Sequence, residues 1–306
     1  MKLLYLPVNF QIKFATPVKA DNNPVFVLRS ILGKQLRQMA CISRQSVCLT
    51  CMYNKTCAYA YIFESIVEKK NSTLPGRNTI SHPYCVSQNS NFVYQDVILE
   101  SFDFTITLFG RAIDYLPYFY AAFVRGGREG LFKERIPFEI EDVKINGDSL
   151  LLNKESIRTD FEVFVFDLFQ PEENLGQELS IKLKTPLRFK SNGTYNKTFS
   201  AQAFWNCLYR RAKTMFLSYG QDCKEDDFPD LPQTATVITD STLHWMNVKH
   251  YSARQKYAME LGGVVGNMSF TGNLSNLEVR LLEFAKIANA GKNTNFGLGQ
   301  LDYSIR

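Results

Sequence analysis

Ile12-Lys13-Phe14-Ala15-Thr16-Pro17-Val18 and Ile181-Lys182-Leu183-Lys184-Thr185-Pro186-Leu187 carry one pattern at two distant places in the same chain. Apolar and polar side chains alternate, as on a strand with one buried face. A Thr-Pro follows, where proline withdraws a ladder donor and predicts the end of the strand. A helical pattern comes after each. Val25 to Ala40 spaces Leu28, Leu32 and Leu36 four apart, and Ala201 to Leu217 does the same with Phe204, Leu208, Ala212 and Phe216.

The back of each half repeats as well. Asp103–Gly110 reads as a strand, followed by a helix and then Gly126, Gly127 and Gly130. Asn267–Gly272 reads as a strand, followed by a helix over Ser275–Ala290 and then Gly291, Gly297 and Gly299. Ser275 and Glu278 have the spacing of a capping box, and Pro117 suits a first helical turn. Strand–helix–strand pieces in this order predict an α+β chain of two tandem ferredoxin-like βαββαβ domains. The polar stretch Asn146–Ser149 places the boundary. Residues 1–147 form a first domain with a Cys-rich insertion at 41–85, and residues 148–306 form a second with a glycine-rich loop. The acidic stretch Gln221–Pro232 reads as a surface loop.

The chain has 306 residues, 45% hydrophobic and 21% charged, an ordinary globular composition. Its net charge of +5 permits an anionic partner. The first residues break at Pro7 and Asn9 and do not read as a signal peptide. No apolar run approaches the roughly 20 residues a membrane span needs. With an odd number of cysteines, seven, a disulfide framework is not expected, and the chain reads as cytoplasmic.

Charge is unevenly spread. No acidic residue occurs from Asn22 to Phe63, where Arg29, Lys34, Arg37, Arg44 and Lys55 lie. None occurs from Leu179 to Gly220, which holds Lys182, Lys184, Arg188, Lys190, Lys197, Arg210, Arg211 and Lys213. Such stretches suit single-stranded or hairpin RNA, with Phe189, Tyr195, Phe199 or Trp205 available to stack on bases. The glycine-rich stretch Gly291 to Gly299 can bring backbone N–H groups close to a phosphate, and Lys292 adds charge. It is not a Walker A loop. The first glycine of that motif would fall at Lys286, and Asn293 stands where Ser or Thr would hold magnesium.

Gly291-Lys292-Asn293-Thr294-Asn295-Phe296-Gly297-Leu298-Gly299 resembles the glycine-rich loop of the RAMP superfamily of CRISPR-associated proteins. Trp245–Gly266, Leu28–Arg37, the cysteine cluster and Phe109-Gly110 resemble the corresponding parts of the CRISPR RNA-processing endoribonucleases. The resemblance implies an enzyme that binds the repeat RNA of a CRISPR precursor and cuts once per repeat. The 2′-hydroxyl attacks the adjacent phosphate without a metal, leaving 2′,3′-cyclic phosphate and 5′-hydroxyl ends. It implies transfer of the mature guide to an interference complex, with no membrane and no small-molecule substrate. The alternative is a RAMP subunit that binds guide RNA without cutting it.

Cleavage of this kind needs a base, an acid and a cation for the phosphorane charge. Of the three histidines, His82, His244 and His250, the last has Lys249, Tyr251 and Arg254 within four residues. His250, Tyr251 and Lys249 are the candidate catalytic residues. Arg29, Lys34, Arg37, Arg188, Arg210, Arg211, Arg254, Lys292, Asn293, Gly297 and Gly299 are the candidate RNA contacts. Cys48-x-x-Cys51 with Cys57 and Cys85 predicts a structural zinc or iron–sulfur cluster, with Cys41 as the other choice of fourth ligand.

Overall fold

The computed structural model describes residues 1–44, 47–66, 80–89, 97–153, 156–172, 175–191, 193–252 and 257–306. The chain divides into two compact units, Leu3–Val165 and Phe166–Arg306, the latter joined by Met1–Lys2.

The first unit runs β1 (Lys2–Ala20), α1 (Pro24–Ala40), β2 (Tyr84–Gln88), β3 (Val97–Phe109), α2 (Leu116–Glu129), β4 (Phe138–Ile145) and β5 (Asp148–Ser149). The sheet order is β2-β3-β1-β4-β5. This is the ferredoxin-like order with β5 added beyond β4, and a further short strand, Phe164–Asp167, also pairs with β1. Asn23 caps α1 by accepting the Val25 N–H at 2.9 Å, a contribution of about 1 kcal/mol, and Pro24 occupies the first turn. Phe10 of β1 stacks on Phe104 of β3 at 5.4 Å. Phe123 of α2 meets both rings edge-on at 5.2 and 5.3 Å, which welds helix to sheet.

The second unit repeats the plan with β6 (Glu178–Leu187), a small hairpin β7 (Lys190–Ser191) and β8 (Thr194–Tyr195), and α3 (Ala201–Tyr219). There follow β9 (Val237–Ser241), β10 (His244–Met246), the hairpin β11 (Lys249–Ser252) and β12 (Tyr257–Glu260), β13 (Gly263–Thr271), α4 (Asn276–Ala288) and β14 (Leu301–Ile305). Its sheet order, β9-β13-β6-β14, has the same connectivity as β2-β3-β1-β4. Ser275 and Glu278 form the expected capping box. Its core is aromatic: Trp205, Phe204 and Phe270 cluster on one side of α3, and Phe216 and Phe284 join α3 to α4.

Three sequence expectations change. The Thr-Pro pairs do not end their strands. β1 continues to Ala20 across a register shift between Lys13 and Val18, and β6 reaches Leu187 opposite a shift between Val264 and Gly266. Proline is absorbed by a bulge rather than a stop. Gly126 and Gly127 lie inside α2, not after it. A Cβ on Gly126 would stand 2.1 Å from Ile31 Cγ2, so the missing side chain lets α2 approach α1 closely. Pro117 is in the first turn as expected, and Gly130 at φ +79° ends the helix. Finally, Asn146–Ser149 is not a linker. Ile145 pairs with Asp148 across a tight turn, and the compact units divide at Val165/Phe166 rather than at 147/148.

Candidate RNA-binding and cleavage site

The bulge at Thr185-Pro186 positions the glycine-rich loop. β6 pairs with β14 up to Leu183, after which its backbone carbonyls turn to the loop that joins α4 to β14. Pro186 accepts from Gly299 N–H at 3.1 Å, and Arg188 accepts from Lys292 N–H at 2.8 Å. Ala290 N–H donates to Gly299 at 2.8 Å and closes the loop on itself. A Cβ on Gly299, at φ +77°, would stand 1.8 Å from that same Ala290 carbonyl. Only glycine fits there. Asn293 takes a left-handed conformation, φ 62°, which asparagine tolerates well.

Helix α3 holds the loop from below. Arg211 is 6% exposed and donates to Ala288 O and to Thr294 Oγ1, both at 2.9 Å. Cys207, one turn earlier, is buried beneath Gly291, and desolvation pushes its pKa up to about 12. His250 of β11 is 7% exposed and meets Phe296 of the loop edge-on. Lys249 is exposed beside it, in register with Glu260 of β12. The site is therefore a loop fixed from three directions, with Gly291, Lys292 and Asn293 its partly exposed residues and Thr294 to Gly299 buried.

The predicted contacts divide sharply. Arg188, Arg210, Lys292, Asn293, Gly297 and Gly299 all lie in the second unit at or beside the loop. Arg188 donates to Gly262 O at 2.6 Å, and Arg210 reaches Lys190 O at 3.2 Å. Arg211 belongs to the same region but points inward as a tether. Arg254 and the side chain of Tyr251 lie outside the described residues. Of the aromatic candidates, Trp205 is 0% exposed and donates to Thr236 Oγ1, and Phe189 is also buried. Tyr195 is half-exposed.

In the first unit the α1 cations are already engaged. The Arg29 guanidinium lies 4.7 Å from the centre of the Phe63 ring, and desolvation by burial lowers its pKa. Lys34 pairs with Glu129 at 2.6 Å, and Arg37 covers Tyr59 at 5.8 Å. His82, half-exposed, shares a 2.8 Å hydrogen bond between its Nδ1 and Ser65 Oγ. His244 is exposed.

The metal expectation finds no support among the described residues. Among the described residues no group of three or more His, Cys, Asp or Glu side chains converges to hold a metal ion. Cys41, Cys48, Cys51 and Cys57 line one cavity of about 280 Å³, and the sulfurs of Cys51 and Cys57 have protein partners. Cys51 Sγ lies 3.3 Å from Ser43 Oγ, and Cys57 donates to Ala40 O. Cys85 is buried in β2 and does not line the cavity. No disulfide joins any of the seven cysteines. No helix among the described residues is long and apolar enough to cross a membrane.

The fold is thus two tandem ferredoxin-like units, with a buttressed glycine-rich loop in the second. Residues 181–301 match the family model of the CRISPR-associated endoribonuclease Cas6. Residues 3–161, more than half the chain, match the AF_1859_N family model, an N-terminal domain, and the chain belongs to that family. Among solved structures the chain resembles a Cas6 product complex with a TM-score of 0.53 at 12% identity, over 98% of this chain and 99% of that one. Cas6 of Thermus thermophilus gives 0.52 at 12% identity, over 99% of each chain. A partial Cas6-RT-Cas1–Cas2 complex gives 0.53 at 10% identity, over 99% of this chain and 46% of that one. No curated protein sequence matches. Residues 181–301 are thus similar to the CRISPR-associated endoribonuclease Cas6, and the chain shares the fold of the Cas6 structures along its length.

Proposed function

We propose that this protein binds the repeat RNA of a CRISPR precursor on the glycine-rich loop and cuts it within each repeat without a metal. A base removes the proton of the 2′-hydroxyl, whose oxygen attacks the adjacent phosphorus. The bond from phosphorus to the 5′-oxygen breaks, and an acid protonates that oxygen. The products carry a 2′,3′-cyclic phosphate and a 5′-hydroxyl. The Lys249–Tyr251 strand supplies the candidate groups. His250 is the proton-transfer residue, with Lys249 and Tyr251 beside it in sequence. Backbone amides of the loop, together with Lys292, stabilise the phosphorane charge. The processed guide is passed on to an interference complex.

One observation carries this reading. The stretch that matches the Cas6 endoribonuclease, 181–301, begins on β6 and ends on β14, the two strands that frame the loop. The test is incubation of purified protein with a labelled repeat RNA in excess EDTA. Cutting to a product whose 3′ end resists phosphatase until opened by acid is the expected result. A chain that binds the repeat and leaves it whole, or cuts only with added divalent metal, sinks the proposal.

A further inference from the structure

The short hairpin β7–β8 gathers charge in a way that its fold does not require. Arg188 lies 3.9 Å from the centre of the Tyr195 ring, Lys190 at 5.3 Å and Lys292 at 5.9 Å. Three cations thus surround one half-exposed tyrosine, and they come from the end of β6, from β7 and from the glycine-rich loop. A fourth, Arg210 of α3, bonds the backbone of Lys190. Among the described residues none of the four forms an ion pair with a carboxylate. The run from Leu179 to Gly220 contains no acidic residue that would supply one.

The arrangement is held rather than accidental. Arg188 is anchored to Gly262 O at 2.6 Å, and its own carbonyl receives the Lys292 amide at 2.8 Å, so the hairpin and the loop move together. The π face of Tyr195 attracts the cations that otherwise repel one another. Like charges kept this close are stabilised when an anion sits among them. The surface ion pairs found elsewhere in this unit show the contrast: Lys286 has Asp302 at 3.2 Å and Lys213 has Glu225 at 3.3 Å.

We infer that Lys190 and Lys292, set around Tyr195 with Arg188, form a binding site for a backbone phosphate of single-stranded RNA beside the glycine-rich loop. The inference rests on the RNA-binding function proposed above and assigns the hairpin a part in it. Tyr195 acts as a positioning residue, fixing where the charges stand. The ligand is the phosphodiester rather than a base, because the charges, not a hydrogen-bonding edge, define the site.

The experiment is a titration of wild type, Lys190→Gln, Lys292→Gln, Tyr195→Leu and Lys286→Gln with a single-stranded repeat RNA at several salt concentrations. Thermal unfolding of each variant confirms the fold. Lys190→Gln and Lys292→Gln should each weaken binding by about tenfold, the size of one charge-assisted hydrogen bond. Each should also flatten the slope of log Kd against log salt by about 0.7, the release expected for one phosphate contact on a single strand. Tyr195→Leu should weaken binding while keeping the slope, since it removes no charge. Lys286→Gln loses the same charge elsewhere and should change neither. A wild type that does not bind the RNA overturns both this site and the function above. Normal wild-type binding with unaltered slopes in both lysine variants overturns the site alone. Equal competition by polyglutamate would show a general anion patch and overturn the assignment to RNA.

Discussion

The His250 ring meets the Phe296 ring edge-on, with 5.0 Å between centroids and 65° between planes. This contact ties β11 to the glycine-rich loop. It also means that replacing His250 with alanine tests two things at once, because it opens a cavity under the loop as well as removing a titratable group.

Phenylalanine separates the two. His250→Phe keeps an aromatic edge against Phe296 and removes the nitrogens. If His250 transfers a proton, the phenylalanine variant should unfold near the wild-type temperature, bind repeat RNA and cut it about 10²–10⁴-fold more slowly. The pH–rate profile should lose one limb. Cutting at the wild-type rate by the phenylalanine variant would reduce His250 to a packing residue.

Arg211 carries a different expectation. Its guanidinium serves two acceptors, Ala288 O and Thr294 Oγ1, where water does not reach. Arg211→Met fills much of the volume but leaves both acceptors without this donor, at a cost of about 2–4 kcal/mol. Denaturant unfolding should show that loss, and RNA affinity should fall because the loop loses its anchor at Thr294. Unchanged stability together with unchanged affinity would show that α3 does not hold the loop. Lysine at this position should rescue only in part, since an ammonium lacks the planar fork.

The sequence made the repeat legible because each half must bury one strand face and one helix stripe, which leaves apolar periodicity at Leu28, Leu32 and Leu36 and again at Phe204, Leu208 and Ala212. The capping pair Ser275 and Glu278 was readable for the same local reason. The bulges at Thr16-Pro17 and Thr185-Pro186 were not. Proline signals only a missing donor, and whether a strand stops or bulges depends on the neighbour it pairs with. The boundary was misplaced because Asn146-Gly147 is as good a signal for a hairpin turn as for a linker. At the site, the loop glycines were visible in the sequence, but the inward turn of Arg211 was not. Arg210 and Arg211 are adjacent and chemically identical, and only the helix phase against α4 decides which one is buried. The role of Tyr195 was hidden for a similar reason, since its three cations come from separate segments.

The cysteines yield a chemical prediction. The hydrogen bond from Ser43 lowers the pKa of Cys51, with the Tyr53 backbone assisting, whereas burial pushes Cys207 up to about 12. A lowered thiol pKa means that thiolate appears at lower pH, and thiolate is the reactive form. Maleimide or iodoacetamide at pH 7 should therefore modify Cys51 well before Cys207, as read by peptide mass spectrometry. Raising the pH to 9 should narrow the gap between Cys51 and the other accessible thiols but leave Cys207 unmodified until the chain unfolds. Treatment with EDTA should not change the order. Protection of Cys48, Cys51 and Cys57 that EDTA abolishes, or zinc or iron in elemental analysis of the native protein, would reinstate a metal there.

Gly299 offers the most local test of the loop. A methyl group at this position meets the Ala290 carbonyl at 1.8 Å, and the residue sits at φ +77°, where an L side chain is already strained. The carbonyl cannot retreat freely, because the Ala290 amide is bonded to Gly299 O at 2.8 Å and the Gly299 amide to Pro186 O. Gly299→Ala should cost about 1–3 kcal/mol from backbone strain alone, with the clash added to it. The loop must open to accept the methyl group, so RNA affinity should fall by more than stability predicts. Gly147→Ala is the control. That residue also has positive φ, +90°, but nothing lies within 4 Å of its would-be Cβ. It should lose stability through strain and keep its RNA affinity. If both variants bind RNA as the wild type does, the closed Ala290–Gly299 loop is not the surface the RNA reads.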